Sequence, residues 1–508
     1  MTQYLSNPGL ICAGANSAAE FFSALCEKRS ALRKLSVCGK NFIFGRVNTP
    51  LPRIKDRAYA TRTNALALYA CLGVQEQIEQ AVQKFGAHRV GVVFATTNTG
   101  VQENYAEFFA CGKDARNFIS QDGESSAPCS KIPTPNGENF AKISKAANDK
   151  FKNFCFERNS HANPANFIRE RFGLKSVAIG VSSACTSGNK ALIEASRLIY
   201  AGLCDAVVFG GADALDELTL QGFSALEILS EHPLKPFSEA RSGTNLGEGA
   251  CAFVLSRECI SDVAILAHAA NSDAYHITKP DPSARMQITA IKTALKSAQL
   301  QSVDYVNLHG TGTAANDAME ALAMSAALPL APASSSKWAI GHTLGAAGAI
   351  ELAVCYEAIK QGVIPPNFTN DEIWLGSEAE IFCGVQPRRG ERNDEILNSK
   401  SDQISCSLGD ENLQNAQGKI SKSGADKILV ASKAMHGAGD NLHGTDDKIL
   451  DDKILKDAAD QASQTSEIPA ALSKFNLACQ AKKARVDTAM NLSFAFGGDN
   501  AVTIIGRA

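Results

Sequence analysis

The stretch Val177-Ala-Ile-Gly-Val-Ser-Ser-Ala-Cys-Thr-Ser-Gly-Asn-Lys-Ala-Leu192 decides how this chain is read. An apolar run of strand character gives way to small and hydroxyl residues at Ser182 to Ser187. Apolar residues then recur at helical spacing through Ala191, Leu192, Ala195, Leu198 and Ile199. The pattern predicts strand, tight elbow and helix, with Cys185 at the elbow. A thiol placed there faces unpaired backbone N–H groups and the positive end of a helix dipole, which favour the thiolate and lower its pKa. Cys185 is therefore a candidate nucleophile, although a cysteine taken singly is more often inert and buried.

With 508 residues the chain exceeds the usual size of one domain and can bury a substantial core in two lobes. Lys and Arg (50) nearly balance Asp and Glu (53), a net charge of −3 that gives no global case for nucleic acid or an anionic membrane. No basic leader precedes an apolar segment at the N-terminus and no apolar run is long enough to span a bilayer, so a cytoplasmic protein without a membrane span is expected. Fifteen cysteines without short paired spacings suggest reduced thiols. Neither Cys-x-x-Cys nor His-x-x-x-His occurs, so no metal site is indicated.

Outward from the Cys185 elbow, strands alternate with helices, the signature of an α/β fold with helices on the faces of a mixed sheet. Helices are predicted around Ala18 to Ser30 and from Thr63 to Phe85, and strands at Val90–Phe94, Ala206–Phe209 and Ala250–Leu255. From Cys111 to about Pro164 the pattern is lost, apart from some helical character near Phe140 to Phe156. The second half repeats the order: a strand at Val303 to Leu308, the turn His309-Gly-Thr-Gly-Thr, and Lys337-Trp-Ala-Ile-Gly-His342-Thr-Leu-Gly-Ala-Ala-Gly348 opening a helix. Setting Cys185-Thr-Ser-Gly188 over Gly345-Ala-Ala-Gly348 also aligns Gly202 with Gly362, and Leu492-Ser-Phe-Ala-Phe-Gly-Gly-Asp499 echoes Val207-Val-Phe-Gly-Gly-Ala-Asp213. This is a diverged internal duplication, so two similar halves are expected: 1–256 carrying the cysteine, and 257–388 with 488–508 carrying the histidines. Within the second half, 389–487 is rich in Asp, Lys, Ser and Gln and repeats Asp-Lys-Ile-Leu from Asp426, Asp447 and Asp452. Its poor apolar content predicts a disordered insertion.

Three small-residue elbows thus carry reactive groups: Cys185, His309 and His342. One thiol plus two imidazoles suits a decarboxylating carbon–carbon condensation. The thiolate accepts an acyl group, and two N–H donors hold the oxygen of an enolate formed as CO2 leaves.

Together with Pro236-Phe-Ser, Arg241, Gly247-Glu-Gly-Ala250 and Phe494-Ala-Phe-Gly-Gly-Asp-Asn500, these motifs resemble the β-ketoacyl-acyl carrier protein synthases of the thiolase-like superfamily. The resemblance covers roughly 1 to 388 and 488 to 508. It implies a thiolase-like fold, duplicated α/β halves in a layered α-β-α-β-α core. It implies Cys185 as acyl acceptor, its N–H and that of Phe496 as oxyanion hole, and His309 and His342 as the pair binding the malonyl thioester. Lys337 would tune the histidines and pair with Glu320. Thr311 and Thr313 would bind the phosphopantetheine arm, which the acyl carrier protein brings, so no cofactor of the chain's own is implied. Phe223 and Phe496 would wall and gate the acyl pocket.

Two positions depart from the family pattern. Thr244 stands where an aromatic residue is usual, and Ala495 replaces the Gly before the gate Phe. With Arg62-Thr-Asn64 and Leu220-Gln-Gly-Phe-Ser-Ala-Leu-Glu227, they resemble the ketosynthases of aryl polyene pathways. The implied partners are the acyl carrier protein and a second subunit, in a homodimer or a heterodimer with a related ketosynthase or chain-length factor. Lys190 or Arg197 would meet the acidic carrier. The alternatives are a non-catalytic chain-length factor, which would lose the nucleophile, and a coenzyme A-dependent thiolase, which would carry a second cysteine at the position of His342.

Overall fold

The computed structural model describes residues 2–37, 40–110, 155–367, 381–382 and 475–508. Eleven strands form its main sheet: β1 (Gln3–Leu5), β2 (Gly9–Cys12), β3 (Val90–Ala95), β4 (Ala178–Val181), β5 (Ala206–Asp213), β6 (Gly249–Ser256), β7 (Val263–Ser272), β8 (Tyr305–Asn307), β9 (Ala333–Ser334), β10 (Thr488–Phe494) and β11 (Asp499–Arg507). They lie in the order β9-β8-β10-β11-β7-β1-β6-β5-β3-β4, with β2 beside β6. The predicted duplication is visible in the pairing. In one half β4, β3 and β5 are parallel and β6 is antiparallel to β5; in the other β9, β8 and β10 are parallel and β11 is antiparallel to β10. Strand β1 pairs with both β6 and β7 and so joins the halves.

Two helices occupy the layer between the half-sheets: α1 (Ser187–Tyr200) and α2 (Ala347–Gln361). The second is apolar nearly all round over its first three turns, as a covered helix must be, while the first keeps Lys190, Glu194 and Arg197 on a face turned away from the core. Leu192, Ala195 and Ile199 of the first pack in one core with Ile350, Leu352 and Ala353 of the second and with Phe209, Phe253, Tyr305 and Ile505 of the strands. Separate cores lie on the outer sheet faces, one under the helix Arg62–Leu72 and one under the helices Arg285–Ser297 and Ala314–Ala327. The layers are therefore helix, sheet, helix pair, sheet, helix, the thiolase-like arrangement.

The two central helices repeat each other in detail. Ala184 and Leu344, each three residues before its helix begins, have left-handed φ of 50° and 51°; Gly202 and Gly362, at the far ends, have φ of 70° and 62°. The helices cross at Gly188 and Gly348. A Cβ on Gly188 would lie 2.5 Å from the Ala349 nitrogen, and one on Gly348 would lie 2.5 Å from the Asn189 nitrogen.

Several sequence expectations need correction. The helix predicted from Thr63 to Phe85 is two, Arg62–Leu72 and Gln75–Phe85, because the chain turns at Gly73, which packs against the Gly9 backbone. The predicted insertion ran to residue 487, yet Phe475 and Val486 are buried, Ala333 N–H donates to the Asn476 carbonyl, and Lys482–Lys483 pairs with Val363–Ile364. Phe475 and Val486 join the apolar cores of the second half and of the central layer. The rest of the insertion expectation, 389–474, and the excursion expected from 111 to about 164, as far as 154, lie outside the described residues; the end of that excursion is packed, with Cys155, Arg158 and Asn163 buried and a helix over Asn163–Arg171. Among the described residues, ten cysteines are free thiols and no helix is long and apolar enough to cross a membrane.

The Gly188 crossing yields a stability prediction. Gly188→Ala should lose about 1–3 kcal/mol through overpacking against backbone that cannot swing away. Gly222→Ala, on a helix surface where an added Cβ meets nothing, should not lose stability. Urea midpoints of the two variants decide it, and equal midpoints would remove the close crossing from the account.

Candidate active site

Each reactive elbow follows the C-terminal end of a parallel strand, where open α/β sheets present loops to ligands. Cys185 follows β4, His309 follows β8, the segment Lys337 to His342 follows β9, and Phe496 follows β10. The crossing of the central helices brings their N-terminal ends together, so Cys185 and His342 meet: His342 Nε2 lies 2.9 Å from Cys185 Sγ. The His309 ring stands edge-on to His342, centroids 5.4 Å apart at 89°, and Phe494 packs edge-on to the other side of His309 at 6.1 Å. Sulfur and a nitrogen of each ring all lie within 4.8 Å of one another.

Backbone hydrogen bonds fix these groups. His342 N–H donates to the Asn245 carbonyl at 2.7 Å and its carbonyl accepts from Gly247 N–H at 2.9 Å. The His309 and Gly310 N–H groups donate to Glu320 at 2.6 and 2.8 Å, and Gly312 N–H donates to Asp317 at 3.1 Å. Asp213 gathers the loop after β3 and the start of α2, accepting from Thr96 and Thr97 and, at 2.6 Å, from Gly345 N–H.

The expected Lys337–Glu320 pair does not form. Lys337, 2 % exposed, forms its ion pair with Glu351 and donates to the His309 carbonyl at 2.6 Å; its Nζ is 3.5 Å from His309 Nδ1. Glu320 is already engaged by the amides of the His309 turn. Glu351 had a sequence signal that went unread: it is the sole acid between Ala347 and Tyr356, a stretch otherwise made of Ala, Gly, Ile, Leu, Val, Cys and Tyr. An acid there must be buried with a partner.

The electrostatics reverse one expectation. The helix dipole was expected to lower the Cys185 pKa, but burial pushes it up to about 12; Lys337 opposes this, while Glu351 and Asp213 add to it. The dipole contributes only about 0.3–1 kcal/mol, against about 1.4 kcal/mol for each pH unit by which desolvation raises the thiol. Burial and Lys337 together hold His309 and His342 well below the ordinary imidazole range, so both rings are neutral at pH 7. Burial raises Glu320 to about 8 and Glu351 to about 7, the latter held down by Lys337.

The three groups open into a cavity of about 520 Å³. Thr311 and Thr313 line it, their hydroxyls 3.0 Å apart, and the stacked rings of Phe223 and Phe496, centroids 5.8 Å apart, form one wall. Thr244, almost fully buried, lies in the same wall, as does Ala495. Lys190 and Arg197 do not line this cavity. They border a separate hollow and are paired with Asp499 and Glu194. The cations beside the Cys185 cavity are Arg241 and Lys279. Arg62 and Asn64 serve the scaffold, the first paired with Glu248 and the second bonded to Asn163.

Residues 123–259 match the model of the beta-ketoacyl synthase N-terminal domain and residues 263–370 that of the C-terminal domain. Over these two stretches the chain matches the β-ketoacyl synthases. The tetracenomycin polyketide synthase ketoacyl synthase alpha subunit of Streptomyces glaucescens is 36% identical to it over 257 residues, 46% of this chain and 60% of that one. The 3-oxoacyl-[acyl-carrier-protein] synthase 2 of Coxiella burnetii is 36% identical over 223 residues, 40% and 54% of the two chains. These matches span little more than half of the relatives' length. Among solved structures, a ketosynthase in complex with its chain length factor from Xenorhabdus doucetiae superposes with a TM-score of 0.70 over 100% of this chain and 98% of that chain at 24% identity, a likeness of fold.

The neutral thiol of Cys185 has a measurable consequence. Alkylation of Cys185 by iodoacetamide, followed by peptide mass mapping, should keep accelerating from about pH 7 to about pH 10, because thiolate is the reacting form. A rate that levels off below about pH 8 would show a thiolate already present and contradict the desolvation account.

Proposed function

We propose that the chain catalyses a decarboxylating Claisen condensation of an acyl group held on Cys185 with malonyl-acyl carrier protein. The observation that carries this reading is the 2.9 Å approach of Cys185 Sγ to His342 Nε2 beside a second neutral imidazole. In the first half-reaction Sγ attacks the acyl thioester of the carrier while its proton passes to His342. The backbone N–H groups of Cys185 and Phe496 take the oxyanion, and the carrier thiol leaves with the proton.

In the second half-reaction malonyl-carrier enters, CO2 leaves, and the enolate oxygen accepts from His309 and His342. Lys337 beside His309 Nδ1 favours the tautomer with its proton on Nε2. Among the described residues His342 Nδ1 has no hydrogen-bond partner, so that ring is free to present either a lone pair or an N–H at Nε2. The carbanion then attacks the Cys185 thioester, expelling the Cys185 thiolate and giving the β-ketoacyl-carrier, and the thiolate takes up one proton from solvent by way of His342 to restore the thiol. Thr311 and Thr313 hold the phosphopantetheine arm, and the enzyme needs no cofactor of its own.

A second subunit is part of the proposal, either an identical chain or a related ketosynthase or chain-length factor. Strand β4 is an open edge, its residues only half-buried, and Tyr200 at the end of α1 and Leu203 just after it are exposed. The Xenorhabdus neighbour was solved with a chain length factor. A non-catalytic role for this chain is disfavoured by its retained thiol and imidazoles, and a thiolase by His342. We place the reaction in the cytoplasm. Thr244 and Ala495 in the cavity wall favour a conjugated, aryl polyene-type acyl chain.

Intact-mass measurement after incubation with acyl-carrier thioester tests the first step. Wild type should gain one acyl group and Cys185→Ala none; His309→Ala should still acylate but lose condensation by about a hundredfold or more. Absence of any adduct on folded wild type would move the chain to a partner role. Lys279→Glu should raise KM for the carrier with kcat little changed, and an unaltered KM would take the carrier off that rim.

A further inference from the structure

The convergence of Cys185, His309 and His342 carries a second chemical capacity. We infer that these three side chains form a binding site for a soft divalent transition metal, zinc above all, whose occupancy blocks the thiol. One thiolate and two imidazoles, with a fourth position open, is the donor set of mononuclear zinc sites that keep a place for an outside ligand. Here sulfur and a nitrogen from each ring lie within 4.8 Å of one another, and all three side chains are buried. Zinc–sulfur and zinc–nitrogen bonds of about 2.3 and 2.0 Å place tetrahedral donors roughly 3.3–3.6 Å apart. The 2.9 Å sulfur–nitrogen contact therefore opens slightly and the wider separations close by about an ångström.

Two features favour occupancy. His342 Nδ1 is unpartnered among the described residues, so its ring can pivot about its fixed backbone without breaking a bond at that nitrogen. The cavity supplies the route in and room for water or an anion as fourth ligand. Lys337 opposes a cation, but its charge is balanced by Glu351 in direct contact. Binding is balanced as Cys185–SH plus Zn²⁺ giving Cys185–S–Zn⁺ plus H⁺, the proton passing to buffer, with no redox change. A sulfur so engaged cannot attack a thioester, so metal and acyl group exclude each other.

The site does not depend on the condensation reading, because it needs only the three donors. Its test uses the purified full chain with buffered free Zn²⁺ at micromolar concentration, and Co²⁺ as a spectroscopic probe. Expected are one Co²⁺ per chain with a sulfur-to-cobalt charge-transfer band, and at least tenfold slower alkylation of Cys185 in Zn²⁺, reversed by EDTA. The band should vanish in Cys185→Ala and weaken at least tenfold in affinity in both His309→Ala and His342→Ala, with circular dichroism confirming the fold. A band that survives in Cys185→Ala comes from another of the chain's thiols and overturns the proposal. So does an affinity indifferent to both histidine changes, or undiminished alkylation in zinc. The histidine pair separates a built site from simple capture by a thiol.

Discussion

The close crossing of two buried helices at Gly188 and Gly348 sets the terms for the rest of the molecule. Backbone approaches backbone there because neither helix offers a side chain, and the small residues around the crossing let two half-sheets close over a single pair of helices. The N-terminal ends of both helices therefore meet in the centre of the fold. An elbow at each end, with the same left-handed residue, delivers a thiol from one half and an imidazole from the other to within hydrogen-bond reach. The duplication is thus the device that assembles the site.

The chemistry that follows depends on how much charge this centre can tolerate. Lys337 and Glu351 cancel each other in a region where either alone would be expensive to bury. Glu320 and Asp317 are raised by burial and spend their acceptor capacity on the amides of the His309 turn. What remains for reaction is a neutral thiol and two neutral rings. A nucleophile of this kind acts by handing over its proton as it attacks, and enzymes built on preformed ion pairs follow a different path.

Much of this was legible in the sequence, and the gaps have physical causes. The elbows, the duplication and the three reactive residues stand out because tight turns and close crossings restrict which residues can be used, and Gly, Ala, Ser and Thr advertise them. The partner of Lys337 was misassigned because two helices each carry a buried acid at suitable distance along the chain, and only packing decides which one reaches the lysine. The sign of the Cys185 shift was misread because a helix terminus is visible in a pattern of residues, while the depth of burial that outweighs it is a property of the whole fold. The three residues were grouped by their chemistry, but their fitness as a metal donor set escaped the spacing rules, which find ligands that are neighbours in sequence, whereas these come from three separate loops.

Strand β1 gives the chain an order of assembly. Tyr4 sits opposite Ser256 on one side and Ala264 on the other, so a segment made early in synthesis has no partner until some two hundred and fifty residues have followed. Pairings of such long range are slow to close, since the entropy of the intervening loop is lost before the contact forms. The first half can collapse around its own helices, but its sheet stays open at one edge until β7 emerges. Folding on the ribosome therefore has a late, committing step at the junction of the halves, and until then the growing chain exposes strand edge that chaperones or neighbouring chains can meet.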